Sequence, residues 1–285
     1  MKLCRFLTTD DEVLVGLSLD DATVLDLSTA GVERLESVLE HDDPARLLRD
    51  LSADTLRAHL IQKVRLLSPL DRQEVWAAGV TYLRSKKARM EESDFSATAY
   101  DKVYDAARPE LFFKSLPEKV VASGEAVGIR KDARWNVPEP ELALVISSRG
   151  KIVGYTIGND MSSRDIEGEN LLYLPQAKIY NRSCAIGPWI TVGVSEAEVR
   201  NWRIQIQIHR NDRIAFEGET STAQIKRTFT ELAEFLFRSQ EFPHGAVLLT
   251  GTGIVPPDGF TLHAGDSIHI SISGIGTLKN SVVRV

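Results

Sequence analysis

Pro138-Glu139-Pro140-Glu141-Leu142-Ala143-Leu144-Val145-Ile146 sets two acids in front of an unbroken apolar run. On a β-strand alternate side chains share a face, so Glu139 and Glu141 point the same way, about 6–7 Å apart. Arg149-Gly150 turns the chain, and Lys151 to Ile157 reads as a returning strand that ends in Gly158-Asn159-Asp160. With a two-residue turn, Asp160 falls directly opposite Glu139 and three carboxylates crowd one spot, about 4.5–5.5 Å apart across the strands. With a three-residue loop and Gly150 as a bulge, the register slips by one and Asp160 turns away. The two-residue turn is the reading adopted.

Crowded carboxylates protonate, pair with bases or hold a cation. An isolated Glu-x-Glu is ordinarily a solvated acidic face, but prolines flanking Glu139 and the apolar strand behind it favour a shaped, partly buried position. An all-oxygen, histidine-free set of Glu139, Glu141 and Asp160 suits a hard divalent ion: Mg2+, with Mn2+ or Ca2+ as alternatives. Downstream, Arg164 and Lys178 lie within reach of the same end of the sheet. Each alone reads as a surface salt bridge; together, beside three acids and a metal, they suit a small anionic substrate. Thr250-Gly251-Thr252-Gly253 follows the apolar Ala246 to Leu249 and lacks both the P-loop ending and the third glycine of a dinucleotide fingerprint. It reads as a tight turn or as an anion nest of hydroxyls and amides.

The 285-residue chain carries 34 Lys+Arg against 40 Asp+Glu, a net charge of −6, with no basic stripe. That balance argues against a nucleic-acid partner. Cys4 and Cys184 are too few for a disulfide framework or a Cys-rich zinc site. The histidines form no metal-ligand pair, and no Gly-x-Ser-x-Gly elbow is present, which weakens zinc and serine hydrolase readings. No apolar run approaches the ~18 residues of a membrane span. The opening MKLCRFLTTDDEVLVG breaks into charge too early for a signal peptide. The expectation is a cytoplasmic protein with no membrane partner.

Residues 1–68 read as a small N-terminal α/β domain. Its strands flank the Asp20-Asp21 turn, Val32, Leu35, Val38 and Leu39 recur at helical spacing, and Asp42-Asp43-Pro44 restarts a helix. Residues 69–285 read as a catalytic β-roll domain with a polar helical lid over about 82–107. Ile204, Ile206 and Ile208, and again Ile268, Ile270 and Ile272, alternate with polar residues, the mark of antiparallel strands with one buried face. Ile225, Phe229, Leu232, Phe235 and Leu236 form a helical stripe with Thr222 as its cap. The fold class is α+β, a mixed β-roll or sandwich.

PEPELALVI, GYTIGNDMSSRD, CAIGPWI and LLTGTGIVPP, in that order, resemble the fumarylacetoacetate hydrolase superfamily from about Pro69 to the C-terminus. EVWAAGVTY, YDKVYDAARPELFFK and GENLLYLPQAKIY extend the likeness over nearly the whole chain, to a branch of 2-keto-3-deoxy sugar-acid dehydratases. The resemblance implies a mixed β-roll and a catalytic divalent cation on Glu139, Glu141 and Asp160. It places Arg164, Lys178 and Thr252 at substrate-site positions, with Tyr82 and Gly251 completing the substrate-binding set. Glu110 and Lys178 are the implied acid–base pair. Hydrolytic members carry a His backed by Glu at the start of the lid, whereas here Tyr82 is followed by LRSKKARMEE, and Glu167 stands where they have Gln.

The implied activity is therefore dehydration. A 2-keto acid chelates the cation, a C3 proton is removed, the C4 hydroxyl leaves, and the double bond migrates to yield 2,5-dioxopentanoate. Acylpyruvate hydrolysis or oxaloacetate-type decarboxylation is the alternative, and a non-catalytic ligand-binding module the third reading. Family likeness further implies a homodimer or homotetramer.

Overall fold

The apolar run after Glu139 becomes the strand Pro140–Ile146, all of it buried. In this computed structural model, which describes residues 1–20, 22–51, 53–84 and 102–285, it lies well inside an eleven-stranded mixed sheet. Most of the lid expected over 82–107 lies outside the described residues. Alternation divides the strand between two cores. Leu142, Leu144 and Ile146 pack with Ile204, Ile206, Ile208, Ile268 and Ile270 of a second, five-stranded sheet. Ala143 and Val145 pack on the other side, in a cluster with Leu35, Val38, Leu39 and Leu48 from the helices Leu35–Leu39 and Pro44–Asp50. A strand covered on both faces reads as continuously apolar, which accounts for the run.

The five-stranded sheet shows the opposite pattern. Arg203–Arg210 lies between Arg213–Ser221 and Ser267–Ile272, antiparallel to both. Its isoleucines are buried while Gln205 and Gln207 face out, as the alternation predicts. The two sheets form the expected open sandwich. Before Pro69, Lys2–Leu7 pairs antiparallel with Cys184–Thr191, so the N-terminal strands extend the large sheet and share its second core.

Two local expectations need correction. The hairpin loop has three residues, not two: the Ser147 N–H donates to Lys151 O at 2.9 Å, and Gly150 takes a φ of +75°. A bulge then sets Val153 outside the ladder, between the pairs Val145–Gly154 and Ile146–Ile152. The two one-residue offsets cancel. Glu141 pairs with Gly158, Pro140 with Asn159, and the Asp160 N–H donates to Glu139 O at 3.0 Å. The expected register therefore holds at the acids through a turn of a different kind.

The second correction concerns the helix Phe229–Phe237, whose cap is Thr228; its hydroxyl accepts from the Glu231 N–H at 3.0 Å. Thr222 is instead buried, donating to Val199 O at 2.6 Å. Ile225 precedes the helix, and Phe235 is half-buried beneath the guanidinium of Arg238, 3.9 Å from its ring centre.

Candidate metal centre and active site

Five strand ends meet at one edge of the large sheet. Glu74–Gly79 and Ala246–Leu249 are parallel and finish together. Their antiparallel neighbours Glu110–Ser115 and Pro140–Ile146 begin there, and Ile152–Asp160 ends there. Topology thus brings Glu110, Glu139, Glu141, Asp160 and the Thr250–Gly253 turn to one place. Of these, Glu110, the three acids, Gly251 and Thr252 line a narrow cleft with Phe112, Glu167 and Lys178. The sheet also curls. Lys114, on the outermost strand, lies 2.5 Å from Asp160 Oδ1, although three strands separate them in sheet order. In a flat sheet that separation would be about 19 Å.

Glu139, Glu141 and Asp160 each offer an oxygen, all within 4.8 Å of one another, and all three residues are buried. Cations and amides surround them. Lys178 Nζ donates to Glu139 Oε2 at 2.8 Å, Asp160 Oδ2 at 3.2 Å and Ser162 Oγ at 2.6 Å. Arg164 Nη2 sits 2.9 Å from Glu139 Oε1. The Gly251 N–H donates to Glu141 Oε2 at 2.6 Å. Burial, reinforced by the neighbouring charges of Asp160 and Glu139, holds the Glu141 carboxyl well above the usual carboxylate range; Lys178 and the Gly251 amide oppose this and do not overcome it. A dication beside these carboxylates would relieve the repulsion among them. The donor set is all oxygen, with no histidine or cysteine among the three, and fits a hard ion such as Mg2+.

The surrounding loops are shaped to bring backbone close. Gly251 adopts a φ of +91°, and a Cβ there would collide with the Thr81 hydroxyl, which donates to Thr250 O at 2.6 Å. A side chain at Gly79 would strike the Glu110 carboxylate, so this glycine makes room for Glu110 at the cleft. Between them Val80 sits at a φ of +52°, a strained conformation for a β-branched residue.

The expected site residues fall into two groups. Glu110, Lys178, Gly251 and Thr252 line the cleft with the three acids. Arg164 and Tyr82 do not line it: Arg164 is buried behind Glu139, and Tyr82 packs its ring against Gly253. The Thr252 hydroxyl accepts from the Ile254 N–H at 3.2 Å. Sequence reasoning missed Lys114 and Ser162 altogether. The signal for Lys114 is its two-residue spacing from Glu110 and Phe112; a register shift sets it outside the ladder, between the pairs Phe113–Trp76 and Ser115–Val75. Glu167, three residues beyond Arg164 on the short helix Arg164–Glu169, reaches the cleft from the same side.

Residues 74–283 match the model of the fumarylacetoacetate (FAA) hydrolase C-terminal family. A probable 2-keto-3-deoxyxylonate dehydratase of Haloferax volcanii is 43% identical over 93% of this chain and 94% of its own length. A 2-dehydro-3-deoxy-D-arabinonate dehydratase of Saccharolobus solfataricus is 40% identical over 93% of this chain and 91% of its own. Among solved structures, a 2-keto-3-deoxy-D-arabinonate dehydratase complexed with magnesium and 2,5-dioxopentanoate superposes with a TM-score of 0.83. That structure is 35% identical, with 100% of this chain and 99% of the other covered. The likeness runs through the strand ends that carry the buried acids, and on it the chain belongs to the fumarylacetoacetate hydrolase family.

Proposed function

We propose that this protein is a metal-dependent hydro-lyase that converts a 2-keto-3-deoxypentonate, of the 2-keto-3-deoxy-D-arabinonate type, to 2,5-dioxopentanoate and water. The observation that carries the reading is the buried cluster of Glu139, Glu141 and Asp160 beside Lys178, in a chain at least 40% identical to two sugar-acid dehydratases. Glu139, Glu141 and Asp160 would hold Mg2+. When bound, that ion supplies Lewis-acid polarisation of a 2-keto group and so acidifies the hydrogens on C3.

The chain's own groups account for the rest. Lys178 is the one amine lining the cleft among the described residues, placed to take and return the proton at C3 through Nζ. Glu110, at the cleft wall over Gly79, is placed to protonate the C4 hydroxyl as it departs. Loss of that water leaves a C3–C4 double bond. Moving a proton from C5 to C3 shifts it to C4–C5, and the resulting enol becomes the aldehyde. Gly251 and Thr252 form the wall against which the keto acid lies, with Tyr82 supporting the turn from behind. Arg164 acts through Glu139.

Incubating the Mg2+-loaded protein with a 2-keto-3-deoxypentonate and, separately, with an acylpyruvate tests the assignment. The expected result is 2,5-dioxopentanoate from the sugar acid, identified by mass spectrometry, with the acylpyruvate intact. Cleavage of the acylpyruvate with the sugar acid untouched would make the protein a C–C hydrolase. We further infer a homodimer or homotetramer in the cytoplasm. Among the described residues no helix is long and apolar enough to cross a membrane.

A further inference from the structure

Lys114 is fully buried, and its ammonium meets three oxygens: the carboxylate Asp160 Oδ1 at 2.5 Å, and the carbonyls Met161 O at 3.0 Å and Lys178 O at 2.5 Å. The two carbonyls accept hydrogen bonds, and Asp160 Oδ1 is held as an ion pair. Lys114 does not line the cleft, unlike Glu110 and Phe112 on the same strand. Two of its partners belong to the end of the Ile152–Asp160 strand and the residue after it. The third is the carbonyl at the last position of the short helix Leu174–Lys178, one of the carbonyls that a helix end leaves without an intrahelical partner.

We propose that Lys114 is a positioning residue that ties Asp160 to the main chain of Lys178 across the curl of the sheet. It thereby sets where the Lys178 ammonium stands relative to Glu139, Asp160 and Ser162. The side chain of Lys178 reaches back to Asp160 Oδ2 while its own carbonyl is held by the lysine on Asp160 Oδ1. Asp160 is thus gripped from both oxygens by two lysines that are themselves joined. Without Lys114, one oxygen of Asp160 and the helix-end carbonyl both lose their partner in the interior, and Asp160 has only Lys178 to turn toward. Lys114 takes no part in proton transfer, since it does not line the cleft.

The inference rests on Lys178 as the proton-moving group, and Lys114→Met and Lys114→Gln test it. In either variant, compared with the parent at saturating Mg2+ and a 2-keto-3-deoxypentonate, kcat is expected to fall about 100-fold, with KM and the calorimetric Mg2+ affinity within about fivefold. KM holds because the metal and the cleft wall remain. Mg2+ affinity holds because losing a nearby positive charge and losing the orientation of Asp160 act in opposite directions. A crystal structure of the metal-free variant is expected to show Lys178 Nζ drawn away from Ser162 and Glu139. A folded variant with kcat within threefold of the parent and Lys178 in place overturns the proposal, as does a loss of activity that tracks lost Mg2+ binding alone. Failure of both variants to fold would make Lys114 a requirement of the sheet's curl, which also overturns it. If the parent protein does not dehydrate the sugar acid, the functional reading fails by itself, and the position of Lys178 in the variant still decides the role of Lys114.

Discussion

Two hairpins in this molecule have similar lengths and opposite surroundings. Pro140–Ile146 with Ile152–Asp160 is buried on both faces, while Arg203–Arg210 with Arg213–Ser221 has one face on the core and one in solvent. In the second hairpin Gln205, Gln207 and Glu217 meet water, so their polar atoms need no particular neighbour. In the first, Glu139, Glu141 and Asp160 have no such recourse. Every charge there is met by a protein group, and the arrangement of Lys178, Arg164, Lys114 and the Gly251 amide follows from that need. The contrast shows how an ordinary antiparallel hairpin becomes a reaction centre: its polar residues sit where water cannot serve them.

The sharpest way to break the contrast is to remove one charge from the buried hairpin. Glu139→Ala leaves Arg164 and Lys178 facing a lost counter-ion and is expected to destabilise the protein by about 3–5 kcal/mol, measured by urea unfolding. Glu139→Gln keeps the shape, and in calorimetry should bind Mg2+ too weakly to detect; retained affinity would remove Glu139 from the metal site. A smaller effect is expected from pH. Because the Glu141 carboxyl is held above the usual range by burial and then by Asp160 and Glu139, its proton competes with the cation. Mg2+ affinity should fall as pH drops through that raised range, by up to about tenfold per unit, and level off above it. Calorimetry in buffers of different protonation enthalpy should record proton release on binding within that range. No release would mean that Glu141 is already ionised. The smallest effect belongs to the solvated hairpin, where Gln207→Ala should change stability by no more than about 0.5 kcal/mol. A larger loss in urea unfolding would show that this face is not simply wetted.

Much of the fold is legible from periodicity. Alternating isoleucines identify the strands of the five-stranded sheet, and an unbroken apolar run identifies a strand covered on both sides. The metal acids are legible too, because Glu139 and Glu141 share a strand face and Asp160 lies one hydrogen-bonded step across. Compensating irregularities are not. The loop at Gly150 and the bulge at Val153 each shift the register, and no propensity at Val153 announces the second shift. Thr222 and Thr228 are equally good caps in isolation, and only tertiary packing gives Thr222 to Val199. Lys114 escaped notice for a different reason. A lysine in a short strand ordinarily reads as solvent-facing, and its role exists only because the sheet curls to bring Asp160 within reach.

Because the three-residue loop and the bulge each lie between intact pairs, the ladder beyond them is indifferent to their length. Removing one loop residue leaves Ser147 opposite Lys151, and removing Val153 lets Val145–Gly154 follow Ile146–Ile152 directly. Either deletion is expected to keep Asp160 beside Glu139, whereas removing a paired residue such as Tyr155 would turn Asp160 onto the opposite face of its strand. Relatives that change length in this hairpin are therefore expected to do so at these two points.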